Sequence, residues 1–280
     1  MGGCPEEINA ETIISADDRL FLFATIREAW DYRDLFRAFL TRDLKVRYRQ
    51  SFLGAAWVVL QPLLTGGLLA AALNALGVLG DLGGRGRLLF LLAGTVPWTS
   101  FASGVNAATS SVEGNAQLFR KIYFPRLLLP LAYVTGTALD FIIAVIALAL
   151  IAVALSMPVT GMVAIAPALM AIQFATAAGL GLAFAALNVQ YRDVKHAVPF
   201  LLQLGFLVTV LVPFERWPAT IRALLQASPM TAVTRTFRGA LAGTPISLMS
   251  LLVPAATAIV IFLVGCVFFE WRQRQIADFL

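Results

Sequence analysis

The sequence predicts an all-α, polytopic membrane protein with six transmembrane helices, and three observations carry that reading. Beyond Gln50 the charge-free runs are 50–80, 88–112, 141–191, 197–214 and 239–269, and 127–139 joins the third across a single acid, Asp140. Apolar residues make up 59% of the 280 and charged residues 13%, about half the ~25% charged residues of soluble domains. The mean hydropathy is +0.82, which would leave a soluble fold with far too much uncovered apolar surface.

The chain begins with a polar N-terminus, residues 1–26. It holds Glu6, Glu7, Glu11, Asp17 and Asp18 and lacks a basic leader, so a cleavable signal peptide is not expected. Residues 27–48 follow as an amphipathic helix: Tyr32, Leu35, Phe36, Phe39 and Leu40 recur at i, i+3, i+4, i+7 and i+8, away from Arg27, Asp31, Asp34 and Arg37. Such a helix is expected to rest in the headgroup plane, aromatic side down. It serves either as a plain juxtamembrane anchor or as a helix beside which an amphiphilic substrate enters or a partner docks.

A membrane domain over 49–270 and a short tail, 271–280, complete the chain. A hydrocarbon core of roughly 30 Å needs about 20 apolar residues in a helix. The expected spans are therefore 52–76, 88–111, 127–155, 162–187, 196–213 and 246–269. Ser156-Met157-Pro158 with Gly161 supplies the turn inside the longest apolar stretch. With the N-terminus inside, 15 of the 21 Lys and Arg residues flank the spans on that side, so both termini are expected to be cytoplasmic. The same bias explains a pI near 9.6 without nucleic acid, because anionic lipid is the nearer partner. The two cysteines, Cys4 and Cys266, argue against a disulfide framework.

Polar segments between the spans carry the functional signal. Arg42, Lys45, Arg47 and Arg49, with Tyr48 among them, concentrate positive charge at the inner membrane face, where lipid phosphate would gather. Between spans two and three, Asn115 is a plausible N-cap and Pro125 a stop for a short helix bearing Gln117, Leu118, Phe119, Arg120, Lys121, Ile122 and Tyr123. Apolar side chains on a short exposed helix want a groove, either in a partner or in lipid. After span four comes Asn188-Val189-Gln190-Tyr191-Arg192-Asp193, then Lys195 and His196, the lone histidine, which excludes a histidine metal cluster and is expected to cap span five. Over 213–245, Pro218 and Ser228-Pro229 each start a short amphipathic helix, and Gly243 ends the second. Two such half-helices are read as re-entrant at the outer membrane edge, or as interfacial packing. Asp140 lies deep in span three, where an ionised carboxylate costs roughly 2.5–3.5 kcal/mol. No Lys or Arg within the spans pairs with it, so it reads as a structural hydrogen bond or part of a channel wall.

The string from Arg42 to Gly54 running into Trp57 and Gln61-Pro62 resembles the type-2 permeases of ATP-binding-cassette exporters for polysaccharides, those of O-antigen, teichoic-acid and capsule export. Leu118 to Pro130, with its Phe-Arg-Lys-Ile-Tyr-Phe-Pro-Arg core, and Asn188 to Asp193 match the same family, and 228–238 matches more weakly. The resemblance covers about residues 25–270. It departs at Ser228, where Asn is usual before Pro-Met, and over Pro213 to Pro218. It implies a homodimer with two ATPase subunits in a bacterial inner membrane, moving a lipid-linked polysaccharide. Under it, Gln117, Leu118, Phe119, Arg120, Lys121 and Tyr123 form the coupling helix seated in the ATPase. Arg42, Lys45, Arg47, Tyr48 and Arg49 admit the lipid-linked substrate at a lateral gate. The helices of 213–245 guard the exit.

A sugar chain offers hydroxyls and apolar ring faces, so Phe52, Trp57, Phe200 and Phe206 are candidates for the channel wall, with Asp140. No Walker A string occurs, nor a nucleophile elbow, a zinc ligand set or a paired glycosidase carboxylate. The chain is thus read as a transport subunit without catalytic residues, metal or cofactor of its own; ATP and Mg²⁺ belong to the partner ATPase. Two rivals stand beside it: a membrane enzyme acting on lipid-linked sugars, and an ion-coupled carrier built around Asp140.

Overall fold

Helix α1, Arg33–Arg49, is the first element of a computed structural model that describes residues 32–49, 52–77, 84–119, 124–157, 159–244 and 247–279. Asp34 in its first turn and Arg47 and Arg49 in its last complement the helix dipole. Residues 1–31, including the expected polar N-terminus and the first turn of the amphipathic helix, lie outside the described residues.

Six helical segments are long and apolar enough to cross a membrane: Ala56–Ala75, Gly86–Gly114, Leu128–Ala154, Gly161–Gln190, Val194–Leu211 and Leu248–Arg272. Each matches an expected span to within four residues. They fall in α2 (Ala56–Ala75), α3 (Gly84–Gly114), α5 (Leu128–Ala154), α6 (Thr160–Gln190), α7 (Val194–Phe206, continued by a wider turn over Leu207–Leu211) and α10 (Leu252–Phe279). The short α4, Ala116–Phe119, sits between α3 and α5. No strand occurs among the described residues.

Helix α3 is the axis of the bundle. Its spanning window is 72% buried, against 17% for those of α2 and the fifth span. It packs on α2, α5, α6, α7 and the short α9. Leu91, Leu92, Ala93, Val105, Ala108 and Val112 are fully buried along it, while α2 and α10 leave Leu64, Leu68, Val260 and Val264 exposed. Between helices in lipid, close packing replaces the hydrophobic drive. The closest pair is α6 with α10: a Cβ on Gly179 would run into the Ile261 carbonyl, and one on Gly265 into the Gly179 carbonyl.

The segment between spans five and six follows the sequence punctuation. Helix α8 covers Ala219–Ala227 and α9 covers Pro229–Leu241, with Pro229 in its first turn. Gly243 adopts φ +70°, and the Thr244 amide donates to the Gly239 carbonyl at 2.9 Å while Gly243 donates to Ala240 at 3.4 Å. That pair of bonds is a Schellman ending, which favours glycine at the left-handed position. Helix α9 packs inward against α3 and α6. Its Phe237 ring meets Phe141 of α5 edge-on at 5.8 Å.

The fifth span is the least regular. Helix α7 has only 13 residues, and the wider turn extends it. Arg238 of α9 closes the backbone there: Nη2 donates to the Val210 carbonyl at 2.5 Å and Nε to the Phe90 carbonyl at 3.1 Å. Its guanidinium also lies 3.7 Å from the Phe90 ring centre. Charge counting places Arg238 among the outer flanking cations; folding spends it on main-chain acceptors.

Candidate functional site

The polar residues of α1 do not act as one cationic patch. Helix periodicity divides them. Arg42, Lys45 and Arg49 are exposed, and with Arg37 and Thr41 they line an open groove along the helix. Arg47 and Tyr48 turn inward toward α5.

Asp140 receives both of them. Arg47 Nη1 donates to Asp140 Oδ2 at 3.1 Å, and the Tyr48 hydroxyl donates to Asp140 Oδ1. The partner missing within the spans therefore arrives from the helix outside them, and the intramembrane carboxylate is paired. Arg47 Nη2 also lies 2.7 Å from Asp43 Oδ2 one turn back on α1 and donates to the Tyr133 carbonyl at 3.4 Å. Asp43 is 7% exposed. Burial raises its carboxyl above the usual carboxylate range, partly opposed by Arg47. Burial, aided by the Asp140 carboxylate, likewise pushes the Tyr48 phenol up, so its proton stays on as a donor. Gly136 makes this approach possible: a Cβ there would stand 2.7 Å from Asp43 Oδ2.

The aromatic stripe of α1 corrects an expectation. Phe39 is buried in protein, its ring 5.3 Å from that of Phe124, with Leu129 and Ala132 of α5 completing the cluster. Tyr32, Leu35, Phe36 and Leu118 pack around it. The stripe faces α5 and the loop before it instead of lying aromatic side down in headgroups, because Phe124, Leu129 and Ala132 offer it a shaped apolar surface.

The loop between spans two and three departs from expectation at Asn115. Its side chain does not cap α4; Nδ2 donates back to the Ser111 carbonyl at 2.9 Å and to the Tyr133 hydroxyl at 3.0 Å. Leu118 joins the cluster under α1, whereas Gln117 is exposed. The Phe119 side chain and the whole of Arg120, Lys121 and Tyr123 lie outside the described residues.

Two residues before Asn115, a second polar cluster joins α3 to the next loop. Lys195 Nζ pairs with Glu113 Oε1 at 3.0 Å, and Asn188 Nδ2 donates to Glu113 Oε2 at 3.0 Å. The Asn188 side chain is buried and accepts the Lys195 amide at 3.1 Å. His196 is exposed beside it.

The four candidate wall aromatics are not brought together. Phe52 is fully exposed and Phe200 largely so. Phe206 packs against Trp98 at 6.3 Å. Trp57 borders a cavity of about 240 Å³ with Arg47, Tyr48, Gln61, Ser103 and Asp140. Sequence reasoning missed Tyr133 and the Glu113 cluster. A signal existed for the first, since Tyr133, Gly136 and Asp140 recur at helical spacing opposite the i, i+4 pair Asp43 and Arg47.

Comparison with known proteins agrees with this architecture. An O-antigen export system permease protein RfbA of Myxococcus xanthus is 28% identical over 261 residues, 90% of this chain and 98% of that protein. Two proteins of the same name from Klebsiella pneumoniae are 26% and 25% identical, each over 88% of this chain and 95% of their own length. The profile described as ABC-2 type transporter matches residues 34–242, from the start of α1 through the end of α9. The chain belongs to the ABC-2 type transporter family.

Proposed function

We propose that this chain is the permease subunit of an exporter moving a lipid-linked polysaccharide of the O-antigen type across a bacterial inner membrane. ATP is hydrolysed on a separate subunit, which also carries the nucleotide and Mg²⁺. The observation that carries this reading is the match to three permeases named for O-antigen export, extending over 88–90% of the chain. The pairing of Asp140 supports it against an ion-coupled carrier, because both carboxylate oxygens are already engaged.

The working unit is two copies of this chain with two ATPase subunits, both termini inside. Gln117 to Tyr123 press into the ATPase. Arg42, Lys45 and Arg49, exposed along one side of α1, attract the phosphate of the lipid carrier as it approaches from the bilayer. Arg47 and Tyr48 hold α1 on α5 instead of contacting substrate. Exposed Phe52, Trp57 and Phe200 offer ring faces to sugar, while Phe206 is spent on Trp98.

Co-purification tests the assignment. A soluble ATPase should bind the membrane subunit, and Phe119→Asp or Tyr123→Asp should release it. Binding indifferent to both changes would remove the coupling role of that loop. Purified alone in lipid vesicles the chain should translocate no glycan; sustained unaided transport would overturn the function.

A further inference from the structure

We infer that Tyr133 is a positioning residue joining the loop after span two to α1, so that a push on that loop reaches the helix at the lipid face. The inference rests on the exporter reading above.

The geometry is specific. Asn115 stands where α3 gives way to α4 and is 7% exposed. Its amide nitrogen donates to the Tyr133 hydroxyl at 3.0 Å. Tyr133 then offers its carbonyl to Arg47 Nη2 at 3.4 Å. The same guanidinium holds Asp140 at 3.1 Å and Asp43 at 2.7 Å. One residue of α5 thus touches the loop with its phenol and α1 with its main-chain carbonyl. The Phe39–Phe124 contact and Leu118 run in parallel and make the connection stiff.

A second line leaves the same junction in another direction. Glu113, two residues earlier, is tied to Asn188 and Lys195 at the ends of α6 and α7. Motion of α4 therefore divides at residues 113–115, one branch to span five and the other through Tyr133 to α1. Spatial continuity alone does not establish coupling; a mutant cycle does.

The test uses the complex of this chain with its ATPase in lipid nanodiscs. Spin labels at Val46 and Val264, both exposed, report the position of α1 against α10 with and without a non-hydrolysable ATP analogue. Nucleotide should shift α1 in the unmodified complex. Tyr133→Phe and Asn115→Ala should each weaken that shift in equilibrium about fivefold, the worth of one net hydrogen bond. Combined, they should do no more than Asn115→Ala alone, because that change already removes the bond to Tyr133 along with the one to Ser111. Glu113→Gln, on the other branch, should add to Tyr133→Phe.

A normal α1 response in a Tyr133→Phe complex that still binds and hydrolyses ATP would overturn the joint alone. Additive effects of Asn115→Ala and Tyr133→Phe would do the same, as would a lowered melting temperature with an unchanged response. Failure of the chain to bind any ATPase would overturn the exporter reading and this inference with it.

Discussion

Arg47 and Arg49 lie two residues apart on α1, carry the same guanidinium, and meet different surroundings. Arg47 turns inward onto Asp43, Asp140 and the Tyr133 carbonyl. Arg49 is exposed in the same groove as Arg42 and Lys45. At 100° per residue, two positions turn a side chain to the other side of the helix. One cationic string therefore yields a structural clamp on one face and a free electrostatic surface on the other. A count of basic residues near a membrane cannot separate the two; the position of the acids can.

Arg47→Ala breaks this comparison hardest. It takes the cation from two carboxylates at once, with Asp43 7% and Asp140 14% exposed, and leaves Asp140 only the Tyr48 hydroxyl. Removing one member of a buried pair costs several kcal/mol because the remaining charge is stranded. Partial exposure here argues for the lower end, about 3 kcal/mol. Thermal unfolding in detergent should show a large loss, and a Met at the same position paired with Asp140→Leu should recover part of it. An Arg47→Ala protein as stable as the parent would mean that α1 is held by its aromatic stripe alone.

Much of this was legible in the chain. The gaps between charges placed all six spans, because a charge in hydrocarbon is costly enough to punctuate the sequence reliably. Ser228-Pro229 and Gly243 marked both ends of α9 because proline and glycine act through local backbone geometry. The clamp was not legible in the same way. Arg47 and Asp140 are 93 residues apart, and a single sequence records no long-range pairing. The Asn115 cap failed for a related reason: a local rule lost to a tertiary acceptor, the Tyr133 hydroxyl. The amphipathic stripe of α1 was correctly periodic, but periodicity names the apolar face and not what covers it. Phe124, 85 positions further along the chain, is what covers Phe39.

A smaller effect sharpens the comparison by pH. Folding raises the Asp43 carboxyl above its ordinary value of 3.8. Only between the ordinary value and the raised one does the native protein hold a proton that the unfolded chain has released. Its contribution to stability is fully present below the ordinary value and is lost as pH rises through the raised one. The difference in melting temperature between the parent and Asp43→Asn should accordingly drift with pH over that window, the parent gaining as pH falls. A difference that stays flat as pH rises from the ordinary value would mean that Arg47 alone sets the Asp43 charge.

The outward face should be almost silent in stability and clear in binding. Arg42→Ala, Lys45→Ala and Arg49→Ala remove exposed side chains that make no ion pair among the described residues. Each surface change should cost within about 0.5 kcal/mol. Near an anionic surface, however, each basic residue is worth about 1 kcal/mol of attraction. A soluble peptide covering α1 should therefore lose affinity for vesicles containing phosphatidylglycerol by roughly a hundredfold when all three are replaced. The loss should shrink as salt shortens the Debye length. In the full permease the same triple change should leave the melting temperature in place while slowing capture of the lipid-linked substrate. If the triple variant instead unfolds like Arg47→Ala, the outer residues are also structural, and the division of α1 into a held face and a free face fails.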